Sequence, residues 1–89
     1  MADPLLFSKD FRRHGGFDTH WPVAGVTHTS KVSVSICEVG NFGGVLKPFQ
    51  GSASMEVNNV VPEDGGIRVR GSIGWGSDLD VRLHFIVFR

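Results

Sequence analysis

The clearest pattern in the chain is an alternation of apolar and polar residues along its C-terminal third. The odd-numbered positions of residues 67–75 and 81–88 are almost all apolar: Ile67, Val69, Ile73, Trp75, Val81, Leu83, Phe85 and Val87. A period of two is typical of β-strands, whose successive side chains point to opposite faces. The pattern therefore predicts two strands that bury their odd-numbered residues, with Trp75 among the buried ones.

We expect these two strands to pair as a hairpin. Directly opposite residues of a hairpin share a face, so the two odd-numbered sets meet only across a loop with an odd number of residues. A loop at residues 76–78 or at residues 76–80 satisfies this condition. The prediction places Gly76, Ser77 and Asp78 in a tight turn and the indole of Trp75 in the core.

The middle of the chain predicts further short strands. Residues 31–38 and 53–58 also alternate between apolar and polar side chains, and glycine-rich stretches such as "PEDGG" at 62–66 separate the strands. Five to seven short strands joined by such turns are typical of a small antiparallel sandwich or barrel. We therefore predict one all-β domain over residues 1–89, folded as a compact β-sandwich or barrel.

Residues 1–16 fit two interpretations. Asp3 can cap a helix, Pro4 suits its first turn, and Gly15 can end it after three basic or imidazole side chains, which predicts a short N-terminal helix. The same stretch also fits an extended arm or edge strand with Pro4 at its start. Both interpretations remain open from the sequence.

Composition narrows the classes of function. The 89 residues are 40% apolar and 20% charged, which suits one small globular domain. Nine basic residues balance nine acidic ones, which argues against broad attraction to nucleic acid or to an anionic membrane. A single cysteine leaves no internal disulfide, and so small a core stabilises a fold only weakly. Oligomerisation is therefore an expected source of further buried area.

The start of the chain predicts no targeting segment. "MADPLLFSKDFRR" lacks the basic, apolar and small-residue regions of a signal peptide in that order. No apolar run approaches the roughly 20 residues that span a bilayer. We expect a protein without a membrane partner, either cytoplasmic or exported by a non-classical route.

No motif in the chain predicts catalysis, a cofactor or a metal site. The four histidines show no close metal-ligand spacing, and no G-x-S-x-G arrangement is present. Cys37 has no sequence signature of an activated nucleophile and is expected to be a half-buried strand residue. Asp78 and Asp80 form only a D-x-D pair, which is too common to indicate calcium. We expect a non-enzymatic protein that needs no cofactor.

The leading hypothesis is a carbohydrate-binding, lectin-like module with a glycan as its ligand. Such a site needs an aromatic platform for the face of a sugar, and polar groups for its hydroxyls. The candidate residues are Trp21, His20, Asp18, Asn41 and Asp78. Trp21 is the better platform because it lies in a polar segment, with the alternative that it packs over the end of the core. The glycine-rich, tryptophan-containing strands resemble those of bacterial lectins, although no complete lectin motif is present.

The second hypothesis is an assembly subunit. Ile86 and Phe88 make the last strand apolar on both faces, and such strands are normally covered on both. This predicts a homo-oligomer in which a neighbouring subunit covers Ile86 and Phe88.

The third hypothesis is an OB-like barrel that binds single-stranded nucleic acid. In the predicted hairpin a basic stripe is formed by Arg68, Arg70, Arg82 and His84. Such a stripe suits a nucleic-acid backbone, with an aromatic side chain to stack on the bases. The zero net charge and the absence of tyrosine weigh against nucleic acid as a partner.

Overall fold

The structure, a computed structural model, describes residues 3–89 and consists of seven β-strands. They are β1 (Leu5–Arg13), β2 (Gly15–Pro22), β3 (Lys31–Phe42), β4 (Val45–Phe49), β5 (Ser54–Glu63), β6 (Gly66–Gly74) and β7 (Leu79–Phe88). The prediction of an all-β fold is confirmed. None of residues 3–89 forms a helix of the length and apolar character that crossing a membrane requires.

The strands form two antiparallel sheets that pack face to face as a sandwich. Sheet A has the strand order β1-β7-β3-β4, and sheet B has the order β2-β6-β5. The connections β3–β4 and β5–β6 are hairpins within one sheet, and the remaining four connections pass from one sheet to the other. The inner faces of the two sheets bury a common core, and the outer faces meet solvent. A strand that alternates between apolar residues that point inward and polar residues that point outward therefore suits either sheet.

The N-terminal segment is a strand and not a helix. Leu5–Arg13 pairs with β7 along its whole length, and the ring of Phe7 stacks on that of Phe85 with 4.6 Å between centroids. Only His14 separates β1 from β2, and Gly15 turns the chain toward sheet B with a φ of 72°. The expectation of a short helix is wrong for residues 3–16, and the edge-strand interpretation is confirmed. The first two residues lie outside the described part of the chain.

The predicted hairpin of β6 and β7 is also wrong, although the predicted burial is confirmed for all the apolar odd-numbered residues named above except Trp75. β6 lies between β2 and β5 in sheet B, whereas β7 lies between β1 and β3 in sheet A. Seven odd-numbered residues of the two strands are at most 1% exposed: Ile67, Val69, Ile73, Val81, Leu83, Phe85 and Val87. The side chains of β6 and those of β7 come from different sheets and meet in the core between the two sheets. Burial on a common core therefore does not require that the two strands pair.

One end of the sandwich is closed by the loop of residues 23–30. Val23 and Val26 are buried there and belong to the core. The backbone N–H of Val23 donates to the carbonyl of Gly65 (3.0 Å), and the N–H of Gly65 donates to the carbonyl of Val26 (2.8 Å). The loop is therefore tied to the β5–β6 turn. The crossovers at residues 50–53 and 75–78 lie at the other end, which we call the open end.

Candidate functional site

Two adjoining clefts flank the 50–53 crossover at the open end. Their volumes are about 550 Å³ and about 330 Å³. Five residues line both: Glu38, Phe49, Gln50, Gly51 and Ala53. Met55 contributes to the larger cleft, and Trp75 and Leu79 contribute to the smaller one. We treat the two as one region and call it the open-end cleft.

The length of β3 explains why a cleft forms here. Up to Glu38, which is opposite Val81, β3 pairs with β7; beyond it, β3 pairs with β4 alone. The even-numbered side chains Val32, Val34 and Ile36 pack against the core. Glu38 is the next residue on that inner face. A carboxylate therefore lies where apolar packing between the sheets gives way to open space.

Gly51 allows the crossover to pass close to this carboxylate. A Cβ at Gly51 would overlap Oε1 of Glu38 and would lie 3.1 Å from its Cδ. It would also lie 3.4 Å from the ring of Phe49. Any side chain at position 51 would displace the carboxylate of Glu38 from its place in the cleft.

Trp75 lies at the rim of the cleft with 46% of its surface exposed. β6 ends at Gly74, and the N–H of Trp75 donates to the carbonyl of Ile73 over 2.9 Å, which forms a tight three-residue turn. The turn takes Trp75 out of the alternation that buries Ile73. The prediction that Trp75 is buried is wrong because the period of two ends where the strand ends.

A second aromatic group faces the cleft from β4. Phe49 is 37% exposed and packs edge-to-face on Phe42, with 5.4 Å between ring centroids and an interplanar angle of 76°. Gly40 leaves room for both rings, since a Cβ there would lie 2.9 Å from one ring and 3.2 Å from the other. The open end thus presents two aromatic side chains, Phe49 and Trp75, which both line the smaller cleft.

Glu38 is the only charged side chain that lines the cleft within residues 3–89. It takes part in none of the ion pairs found in the described chain. Lys47 is opposite Gly40 in the β3–β4 hairpin, and therefore on the same face as Glu38 and Phe49, but it does not line the cleft. The carboxylate is available to a ligand.

The residue predicted as a sugar platform, Trp21, packs against the core and has its indole N–H satisfied within the fold. Its indole is half-buried against the core, and its Nε1–H donates to Oγ1 of Thr19 over 2.9 Å. Its ring centroid is 6.3 Å from that of Phe11. Trp21 is opposite Ile67 at the start of β6, so roughly 20 Å of strand separates it from the open end.

The other four predicted site residues lie apart from one another, except for one pair. Asp18 and His20 share the outer face of β2, opposite to the inward-pointing Trp21. Asn41 accepts a hydrogen bond of 2.9 Å inside the β3–β4 turn. Oδ1 of Asp78 lies 2.5 Å from Nδ1 of His14, and this contact links the β6–β7 crossover to the β1–β2 crossover. The structure therefore does not bring the five candidates together in one site.

The predicted basic stripe is wrong. Arg68 and Arg70 lie on the outer face of sheet B, whereas Arg82 and His84 lie on the outer face of sheet A. The two pairs point away from each other on opposite sides of the sandwich. The nucleic-acid hypothesis required these four side chains on one face of a β6–β7 hairpin. Because β6 and β7 do not pair, that basic stripe does not form.

Cys37 is half-buried, as expected, and has a neighbour that its sequence context does not indicate. Its Sγ lies 3.4 Å from Nε2 of His84 on the outer face of sheet A. Burial raises the pKa of the Cys37 thiol, and the nearby Arg82 opposes this only in part. A raised pKa is the opposite of what an activated nucleophile needs. Nowhere in residues 3–89 do three or more histidine, cysteine or acidic side chains cluster closely enough to hold a metal ion.

Sequence patterns do not single out the residues of the open-end cleft. Glu38 reads as an ordinary polar strand position, and residues 41–51 read as a loop followed by a short, irregular strand that Pro48 interrupts. The nearest signal is the glycine on either side of Trp75, because glycine is disfavoured inside strands and so indicates where a strand can end. Comparisons with protein-family models, with curated proteins and with solved structures found no match to this chain.

Proposed function

We propose that the protein is a non-enzymatic, carbohydrate-binding module whose site is the open-end cleft. The observation that carries the proposal is the exposed indole of Trp75 at the rim of a cleft that also contains Phe49, Glu38 and Gln50. Aromatic surface combined with a few convergent polar groups is the usual composition of a small-molecule site.

The chemistry of a sugar suits these groups. One face of a pyranose ring presents C–H groups, which pack favourably on a flat apolar surface such as an indole. The hydroxyls around its edge both donate and accept hydrogen bonds. The carboxylate of Glu38 can accept from them, and the side-chain amide of Gln50 can do both. The cleft volumes of about 550 and 330 Å³ are in the usual range of ligand sites.

A glycan array tests this function. We expect the native protein to bind a subset of glycans and Trp75→Ala to lose that binding at least tenfold, because the platform is removed. Trp21→Phe is the matched control: it also replaces an indole, but at the other end of the sandwich, and we expect it to keep the native binding pattern. A native protein that binds no glycan, or a Trp75→Ala variant that binds as the native protein does, rejects the proposal.

A second candidate function, an assembly subunit, is favoured by a separate surface. On the outer face of sheet A, Leu6 is 66% exposed, Ile86 45% and Phe88 49%. Leu6 is directly opposite Ile86, so these side chains form one apolar patch. A contiguous exposed apolar patch commonly marks a protein–protein interface, and a two-fold axis would let one copy cover the same patch on another.

Analytical ultracentrifugation tests the assembly proposal. We expect the native chain to sediment as an oligomer at micromolar concentration, and Ile86→Glu to sediment as a monomer with unchanged circular dichroism. Val61→Glu is the matched control, since Val61 is 41% exposed on the other sheet. A native protein that is monomeric throughout the concentration range removes the support for this function.

A further inference from the structure

The charge of the open-end cleft restricts its ligand beyond the general class of carbohydrates. Glu38 is the one charged group that lines the cleft in residues 3–89, and it has no ion-pair partner there. It lies on the inner face of sheet A where the core ends, half-buried and next to the ring of Phe49. An unpaired carboxylate in such a place favours a cation over a neutral or anionic group.

The aromatic groups act in the same direction. The faces of Trp75 and Phe49 carry the negative part of the ring quadrupole, which attracts a cation placed over them. Both rings border the 50–53 crossover, where Glu38 also lies. An anionic sugar, such as a uronic acid, would meet repulsion from the carboxylate and from both ring faces.

Gly51 preserves this arrangement. A Cβ at Gly51 would overlap Oε1 of Glu38, so the absence of a side chain keeps the carboxylate against the crossover. Lys47 lies on the same face of the β3–β4 hairpin as Glu38, but it is exposed and forms no ion pair with it. Among residues 3–89, no side chain forms an ion pair that would neutralise the negative charge of the cleft.

We propose that the open-end cleft binds amino sugars in their ammonium form, with Glu38 pairing with the ammonium group and Trp75 packing on the ring. The inference rests on the proposed carbohydrate-binding function and names the ligand class of the same site. A charge-assisted hydrogen bond of this kind favours the charged sugar by about tenfold over a neutral analogue.

Isothermal titration calorimetry with three β-1,4-linked tetrasaccharides tests the inference. The probes are glucosamine tetramer, its fully N-acetylated form, and cellotetraose, which differ only in the group at carbon 2. We expect the native protein to bind the glucosamine tetramer about tenfold more tightly than the other two, with the preference falling as salt is added. Glu38→Gln, which keeps the shape of the side chain, is expected to abolish the preference. Gly51→Ala is expected to reduce it by displacing the carboxylate.

Glu56→Gln is the matched control, because it removes the same charge from the outer face of sheet B, where Glu56 is exposed and bonded to Asn58. It should leave the preference intact. Equal affinity for the three sugars, or an equal effect of Glu38→Gln and Glu56→Gln, overturns the amino-sugar inference while leaving carbohydrate binding in place. If none of the sugars binds and the glycan array is also empty, the proposed function itself is rejected.

Discussion

The packing around Gly71 makes a strong prediction about the fold. Gly71 lies in the middle of β6, opposite Phe17 on β2 and next to a register shift between Val57 and Asn59 on β5. A Cβ at Gly71 would lie 2.6 Å from Cζ and 2.9 Å from Cε1 of the Phe17 ring, and it would overlap the carbonyl oxygen of Glu56. Neither neighbour can yield cheaply, since one is a ring that is 3% exposed and the other is the backbone of a paired strand.

The substitution Gly71→Ala should therefore be costly although it adds only a methyl group. Forcing an extra carbon into a packed core costs about 1–3 kcal/mol. At about 4–8 °C per kcal/mol for a domain of this size, a loss near 2 kcal/mol lowers Tm by roughly 8–16 °C. Gly76→Ala is the matched control: a Cβ at Gly76 meets no atom within 4 Å. It should be neutral or stabilising by up to about 1 kcal/mol.

Urea unfolding followed by far-ultraviolet circular dichroism measures both variants against the native chain. We expect Gly71→Ala to have a lower midpoint with an unchanged slope, and Gly76→Ala to have a midpoint at or above the native one. If the two variants unfold at the same urea concentration, then Phe17 does not pack over Gly71 and the arrangement of sheet B described above is incorrect.

Two further predictions concern sheet A. Phe85 and Ile86 are neighbours on β7, and they are 1% and 45% exposed. In urea unfolding, Phe85→Ala should therefore lower the free energy of unfolding by about 3–5 kcal/mol, and Ile86→Ala by under about 1 kcal/mol. Similar losses of stability in the two variants would contradict the assignment of Phe85 to the inner face and Ile86 to the outer face of β7. The hydrogen bond from Arg82 lowers the pKa of Asp10 below its ordinary value, so this carboxylate contributes stability above about pH 4 that is lost as the pH falls through its lowered folded pKa. The side chain is 40% exposed, which limits the contribution to less than about 1 kcal/mol. Thermal melts between pH 2 and 7 should show a shallower acid limb for Asp10→Asn, and an acid limb identical to the native one would contradict the pairing.

Burial in β6 and β7 could be predicted from the sequence because the period of two is a property of the extended backbone. The partners of these strands could not be predicted. A short glycine-containing connection serves equally well for a hairpin and for a crossover between sheets, and both options bury the same odd-numbered residues. Residues 75–78 take the second option, so the strands face each other across the core. The N-terminal segment illustrates the same limit, since Pro4 suits the start of a helix or of a strand, and pairing with β7 decides between them.

The candidate site could not be predicted from sequence patterns, for a different reason. Glu38, Phe49 and Trp75 come from β3, β4 and the β6–β7 crossover, and only the packing of the two sheets brings them to one cleft. The chain contains two tryptophans, and of these only Trp75 lines the open-end cleft. The local context nevertheless favours Trp21, whose polar neighbours point to the outer face of β2 while its own indole points inward.

Tryptophan fluorescence tests most directly whether the open-end cleft is the binding site, because the chain contains only two tryptophans, one at each end of the sandwich. Trp21→Phe leaves Trp75 as the sole indole, and Trp75→Phe leaves Trp21. The glycan that binds most tightly should change the emission of the first variant in a saturable titration and leave that of the second nearly unchanged. A saturable change in the protein that retains only Trp21, with none in the protein that retains only Trp75, would contradict the assignment of the site.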